Sequence, residues 1–259
     1  MVEKLNIVSP SLLEAFEQRI NFNPIEQLQV KSQESIPFDY FKFYNSISSV
    51  YSSKIEGEEI DVDSYIKHKF LNVQYEPDYT KKADDLYEAY AYMESHPLNE
   101  ANVLTAHAYL SQNLLAKSQR GRIRTNPMFV INEEDRIEYV ACAPEKVKRE
   151  WSYLFQDIAI LLDRDLNAIE LFYYAAFIHL VFLKIHPMQD GNGRTARLLE
   201  KWFLKEKIGS TVASLELEKN YYLRKQDYYN NIRVIGLEYE SIDYSKGIDF
   251  MLMTVLTLA

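Results

Sequence analysis

The chain reads as a mainly α-helical bundle with one small β-hairpin. Three observations predict this. Seven Gly and eight Pro in 259 residues are few for the turns an all-β fold needs. Apolar residues recur at helical spacing along most of the chain. Only once, over Met128 to Ile131 and Ile137 to Ala141, do two short strand-like runs flank a polar turn, Asn132, Glu133, Glu134 and Asp135.

Taken in order, Ser11 to Ile20 is a short amphipathic helix. After a polar stretch Pro37 opens a second, Tyr40 to Ile55, which Gly57 stops. Asp61 or Asp63 caps a third that runs through Phe70. Thr80 begins a fourth that ends before Pro97, and Ala101 to Ala116 is a fifth. The hairpin follows. Helices then resume over Pro144 to Asp163, Leu166 to Ile185, Asn192 to Lys207, Asn220 to Glu238, and from Tyr244 onward. A soft boundary near Pro97 divides an N-terminal helical extension, 1–97, from a helical core, 98–259, packed together rather than independent. No repeat or low-complexity tract interrupts them.

The totals bound the function. A net charge of −9 offers no basic surface, so no nucleic-acid partner is expected. The single cysteine, Cys142, forms no internal disulfide, and the N-terminus lacks a signal-peptide core, which together imply a reducing, cytoplasmic setting. The most apolar run, Leu171 to Leu183, contains His179 and is too short to span a bilayer, so no membrane partner is expected and a buried helix is.

The chemistry concentrates in HPMQDGNGRTAR, His186 to Arg197. Pro187 disfavours helix at His186, so the preceding apolar helix ends there, beside a turn. Gly191 and Gly193 let the backbone turn tightly and approach a ligand. A second helix begins near Asn192, and its first amides have no internal partners and favour a phosphate. Arg194 and Arg197 share one face of its first turns, and guanidinium forks grip phosphate oxygens at two points. Asp190 is a hard oxygen ligand suited to Mg²⁺ beside phosphates. An imidazole with an ordinary pKa of roughly 6.5 accepts a proton from an attacking hydroxyl at neutral pH. Base, metal ligand, anion nest and two clamps within twelve residues form a kit for phosphoryl or nucleotidyl transfer. It is not a Walker A loop, because no Lys-Ser/Thr follows the glycines.

This segment resembles the signature of the Fic family, HPFx(D/E)GNGRxxR. His186, Pro187, Asp190, Gly191, Asn192, Gly193, Arg194 and Arg197 match. At average residue usage the chance of such a match at a given position is on the order of 10⁻¹⁰. Met188 stands where the family usually has Phe, an apolar anchor that Met can replace. The resemblance implies a Fic-fold bundle that moves AMP from ATP to a Tyr, Thr or Ser hydroxyl of a target protein. In that reading His186 is the general base and Asp190 holds Mg²⁺. Asn192 and the amides of Gly191 and Gly193 cradle the phosphates, Arg194 binds the β-phosphate side and Arg197 the γ-phosphate. The hairpin resembles the Fic flap, which docks a target segment by strand addition. Gly121 and Arg124 fit its approach, and Val130 and Ile131 its first strand. KQDYYNNI resembles the adenine-contacting helix, with Tyr228 and Tyr229 as ring contacts.

Upstream, Ser52-Ser53-Lys54-Ile55-Glu56-Gly57 resembles the family's inhibitory motif (S/T)xxxE(G/N). The resemblance implies that Glu56 presses on Arg197 and takes the fork that the γ-phosphate needs. It leaves two further readings open: removal of AMP, with Glu56 orienting a water, and a nucleotide-binding module with vestigial catalysis. Fic proteins of this layout often dimerise, so a homodimer joins ATP and the target protein among the implied partners. His107, His179, His68, His96 and Cys142 read as structural or carry no signal. With Ala259 soon after the core, no appended winged helix is expected.

Overall fold

A computed structural model describes residues 4–32, 39–131 and 137–258. Pro37 and the hairpin turn Asn132 to Asp135 lie outside the described residues. The rest is the expected helical bundle with a single two-stranded sheet among the described residues. The N-terminal part comprises α1 (Leu13–Glu17), α2 (Pro24–Ser32), α3 (Tyr40–Ile55), α4 (Val62–Leu71), α5 (Pro77–Ser95) and α6 (Glu100–Leu110). The hairpin is β1 (Phe129–Ile131) and β2 (Ile137–Val140). There follow α7 (Pro144–Asp163), α8 (Ala168–Ile185), α9 (Asn192–Ile208), α10 (Leu217–Leu223), α11 (Lys225–Arg233) and α12 (Ile248–Val255), with short 3₁₀ turns between and after them.

The central element is α8. Asn167 and Glu170 close its N-terminus with a reciprocal capping box. Every side chain from Leu171 to Phe182 is buried, against α7, α9 and α12. By length and composition its 18 residues would cross a membrane, so the expectation that the run is too short does not hold; burial of 78% of it inside the bundle accounts for its apolarity. Val8, Phe16 and Leu28 join the same core as α8. Asp157 fastens that N-terminal segment by accepting the amides of Asn6, Ile7 and Val8 at 2.7–2.8 Å.

Helix α3 begins where Asp39 accepts the Lys42 amide. It ends in a Schellman turn: Gly57, at φ +90°, donates to Lys54 O, and Glu58 donates to Ser53 O, each at 3.1 Å. This turn fixes Glu56 as the last residue before the chain reverses. The helix packs on α5, α9 and α10. Its contact face is partly polar. Lys201 donates to Ser48 at 2.7 Å and lies 3.4 Å from Glu218. Glu218 also accepts from Ser48 at 3.0 Å and from Tyr90 at 2.6 Å. All four are buried.

Several boundaries differ from the sequence expectation. The helix over Ser11 to Ile20 shrinks to α1, and α2 occupies what read as a polar stretch. The Ala101–Ala116 helix stops at Leu110, because Asp85 captures the Asn113 amide at 2.7 Å. The expected helix 220–238 is two, broken at Arg224 (φ −114°, ψ 36°). Asp61, not Asp63, caps α4.

Candidate active site

The α8–α9 connection places the predicted residues. His186 caps α8 in the left-handed conformation, φ 53° and ψ 58°, uncommon for a residue with a Cβ. Its Nδ1–H donates to Leu183 O at 3.2 Å. That bond leaves Nε2 as the ring's acceptor. Burial chiefly, with help from the nearby Arg124 cation, pushes its pKa down to about 4, although the Leu183 bond and the charges of Glu56 and Asp190 oppose this. At neutral pH the imidazole is therefore uncharged and able to take a proton.

The loop after it is braced from three sides. Asn192 folds back on Met188, accepting its N–H at 2.8 Å and donating to its C=O at 2.9 Å. The Asn192 side chain thus builds the loop, with one Nδ2–H engaged on Met188 O. Asp190 Oδ1 accepts the Gly191 amide at 2.6 Å, so that amide too is engaged. His107 reaches in from α6: Nδ1 accepts the Gly121 amide and Nε2–H donates to Asp190 O, both at 2.9 Å. Gly191 sits at φ +75°, and a Cβ there would meet Leu110 Cδ1 at 2.9 Å. The first intrahelical bond of α9 runs from Thr195 N–H to Gly191 O. The amides of Asn192, Gly193 and Arg194 precede it and form the anion-favouring helix mouth.

That mouth is already met by a carboxylate. Glu56 Oε1 lies 2.6 Å from Arg197 Nη2. A Cβ on Gly193 would stand 2.5 Å from the same oxygen, so only glycine lets Glu56 settle there. Partial burial works against the charged carboxyl, but Arg197, then Arg194 and Lys225, hold its pKa below the usual glutamate value. Arg197 is fully buried and well supplied. Nε donates to Ser52 Oγ at 2.8 Å, Nη2 also to Ser52 O at 3.1 Å, and Nη1 to Tyr228 OH at 3.5 Å. Arg194 contrasts with it. It is 4% exposed, its Nε has no hydrogen-bond partner, and its nearest carboxylate, Glu58, is 3.5 Å away and shared with Lys82 at 2.6 Å.

Between this mouth and the hairpin lies a cavity of about 190 Å³, lined by Glu56, His186, Arg197, Val130, Tyr229 and Arg233 among others. Tyr229 presents its ring to it. Tyr228 also lines it but is 1% exposed, and its hydroxyl lies between Arg197 and His179 Nε2, 3.0 Å from the latter. His179 in turn bonds Glu200 at 2.6 Å. On the hairpin Ile131 is 57% exposed and, among the described residues, β1 has one edge unpaired, while β2 is covered where the Val140 amide donates to Leu237 O at 2.8 Å.

Residues 97–204 match the model of the Fic/DOC family. The segment is a Fic/DOC domain. It takes in α6, the hairpin and the His186–Arg197 loop, whereas Glu56 on α3 and the Tyr228–Tyr229 helix lie outside the matched range. The fold agrees with that of known Fic proteins. A Fic family protein from Desulfovibrio desulfuricans G20 aligns with a TM-score of 0.69 and 20% identity, over 91% of this chain and 73% of that one. A Fic domain containing signaling protein from Bacteroides thetaiotaomicron VPI-5482 gives 0.65 and 17%, over 91% and 94%. Fic-1 (134–508) from C. elegans gives 0.62 and 16%, over 96% and 66%. In sequence, the protein adenylyltransferase Fic of Nematostella vectensis is 37% identical over 81 residues. That match spans 31% of this chain and only 17% of the relative.

Sequence reasoning missed Glu58, read His107 as structural, and placed Arg124 in the approach to the hairpin without tying either residue to the His186 loop. His107 and Arg124 carry no local signature, because each acts on backbone far away in sequence. Glu58 had one faint cue, its place two residues beyond Glu56 in an acidic run.

Proposed function

We propose that this protein transfers AMP from ATP to a side-chain hydroxyl of a target protein, and that Glu56 restrains it. One observation supports the reading above others. A neutral imidazole shares a cavity with a helix mouth whose two arginines are held, respectively, by a carboxylate and by almost nothing. A carboxylate at that mouth is in the place of an anion.

In the transfer, the target hydroxyl oxygen attacks the α-phosphate, its proton passes to His186 Nε2, and pyrophosphate departs. The free donors of Arg194 and the first amides of α9 would take phosphate oxygens. Arg197 would take the terminal phosphate once Glu56 turns aside. The exposed edge of β1 at Val130 and Ile131 would hold the target as an added strand. Asp190 suits Mg²⁺: it is exposed, and Oδ2 has no hydrogen bond among the described residues. No cluster of three or more His, Cys, Asp or Glu side chains gathers among them, so phosphate oxygens and water would complete the shell. When bound, the ion would offset phosphate charge.

The test is incubation of wild type, Glu56→Gly and Glu56→Gly/His186→Ala with labelled ATP and Mg²⁺ in a lysate. Label on protein is expected from Glu56→Gly, less from wild type, and none from the double variant. Labelling that survives loss of His186 would refute the assignment. Glu56 and His186 also line one cavity, which favours AMP removal as the second reading. An adenylylated protein stripped by wild type but not by Glu56→Ala would replace transfer with removal.

A further inference from the structure

Arg124 lies in the approach to the hairpin, 62 residues from His186, and is 4% exposed. Its guanidinium meets no carboxylate among the described residues. It is spent on carbonyls: Nε donates to His186 O at 2.7 Å, Nη1 to Asn126 O at 2.7 Å, and Nη2 to Cys142 O and, at 3.3 Å, to Ile185 O. Its own amide donates to Pro187 O at 2.9 Å. One side chain thus ties the carboxyl end of α8 to Asn126, on the approach to β1, and to Cys142, just past the end of β2.

We infer that Arg124 is the positioning residue for His186, fixing the left-handed turn that aims the imidazole and joining that turn to the root of the hairpin. The inference rests on reading His186 as the base.

Three physical points carry it. The left-handed conformation is unfavourable for a residue with a Cβ, so something must hold His186 there. Charge-assisted bonds are stronger than neutral ones, and two of them grip the carbonyls of Ile185 and His186. The negative end of the α8 dipole supplies the counter-charge that no carboxylate provides. The same guanidinium reaches both roots of the hairpin, so an occupied hairpin and an aligned imidazole become one event. Other charged groups face the imidazole or its cavity: Glu56 from α3, Asp190 from the loop, Lys184 on α8, Arg197 on α9, and the Glu138–Arg233 pair between β2 and α11. Arg124 is the one that bonds His186 itself.

The experiment compares wild type with Arg124→Gln, Arg124→Lys and, as a hairpin control, Arg233→Gln. Labelled-histidine NMR reads the His186 tautomer and titration, and hydrogen exchange reads the hairpin amides. Arg124→Gln should raise the His186 midpoint by about half a pH unit or more and loosen the hairpin. Arg124→Lys keeps the charge and loses the fork. It should leave the midpoint near wild type, disturb the Nδ1–H tautomer signal, and speed hairpin exchange. Arg233→Gln should speed exchange alone. If both Arg124 variants leave the His186 tautomer and midpoint at wild-type values while the hairpin loosens, Arg124 is a strut and the inference is overturned. Should Arg124→Gln fail to fold, the tautomer signal of Arg124→Lys decides. None of these readouts needs turnover. Absence of AMP transfer from every form would sink the proposed function and leave this coupling standing.

Discussion

Two elements wall the cavity, and they are attached in opposite ways. On one side α3 is bolted to α5, α9 and α10 through buried polar groups: Ser48, Tyr90, Lys201 and Glu218, then Ser52 on Arg197. On the other, the hairpin is two short strands with an irregular register after Val130 and, among the described residues, an unpaired outer edge. Its links to the body include Arg124, the Tyr139 hydroxyl on Lys184 O, the Val140 amide on Leu237 O, and a partly exposed Glu138–Arg233 pair at 2.6 Å. Withdrawing α3 would strand buried charges, so under the proposed function Glu56 would leave Arg197 by turning its own side chain. The hairpin can exchange neighbours at little cost. Under the proposed function, restraint would sit on the rigid wall and docking on the pliant one.

The contrast can be broken by measurement. The largest effect should come from the chemistry the walls enclose. In the Glu56→Gly background, His186→Ala should lower AMP transfer by about 10²–10⁴-fold in a single-turnover assay. Next, Glu56→Gly alone should raise transfer by roughly 10-fold or more, the scale of one lost charge-assisted hydrogen bond, read against wild type at fixed ATP. Thermal or urea unfolding tests the walls directly. Lys201→Met leaves Glu218 buried without its cation and should cost about 3–5 kcal/mol. Glu138→Gln should cost at most about 1 kcal/mol, because its pair is partly solvated. Similar losses from the two would erase the distinction.

Acidity sharpens the same picture. His186 has its folded pKa depressed to about 4, below the ordinary 6.5. The unfolded chain therefore binds the extra proton first, and this site removes stability as pH falls from 6.5 toward 4. Until then the folded imidazole stays neutral. The transfer rate of Glu56→Gly should hold level from pH 8 to about 5 and drop only near 4. A fall centred near 6.5 would mean an open, solvated imidazole.

Much of this was legible beforehand, and the exceptions have physical causes. Tyr40–Ile55 and Pro144–Asp163 coincide with their expected bounds, since strong caps or a first-turn proline start them. The cue for α2 was present in Asn23-Pro24, where Asn23 accepts the Ile25 amide at 3.0 Å and Pro24 opens the helix; its polar composition hid it. The break at Arg224 has no glycine or proline to announce it. Twelve residues were enough to mark the loop, because its groups are close in sequence. The bracing by His107, the orientation of Tyr228 behind Arg197, and the sharing of Glu58 between Arg194 and Lys82 depend on pairs of distant residues, which no local pattern records.

The missing Cβ at Gly193 has a consequence for how restraint can be lost. Any side chain there evicts Glu56, yet it also fills the hollow that the nucleotide would occupy, so the lock and the keyhole fail together. Mutants selected for unchecked activity should therefore arise in the Ser52–Gly57 stretch and spare position 193.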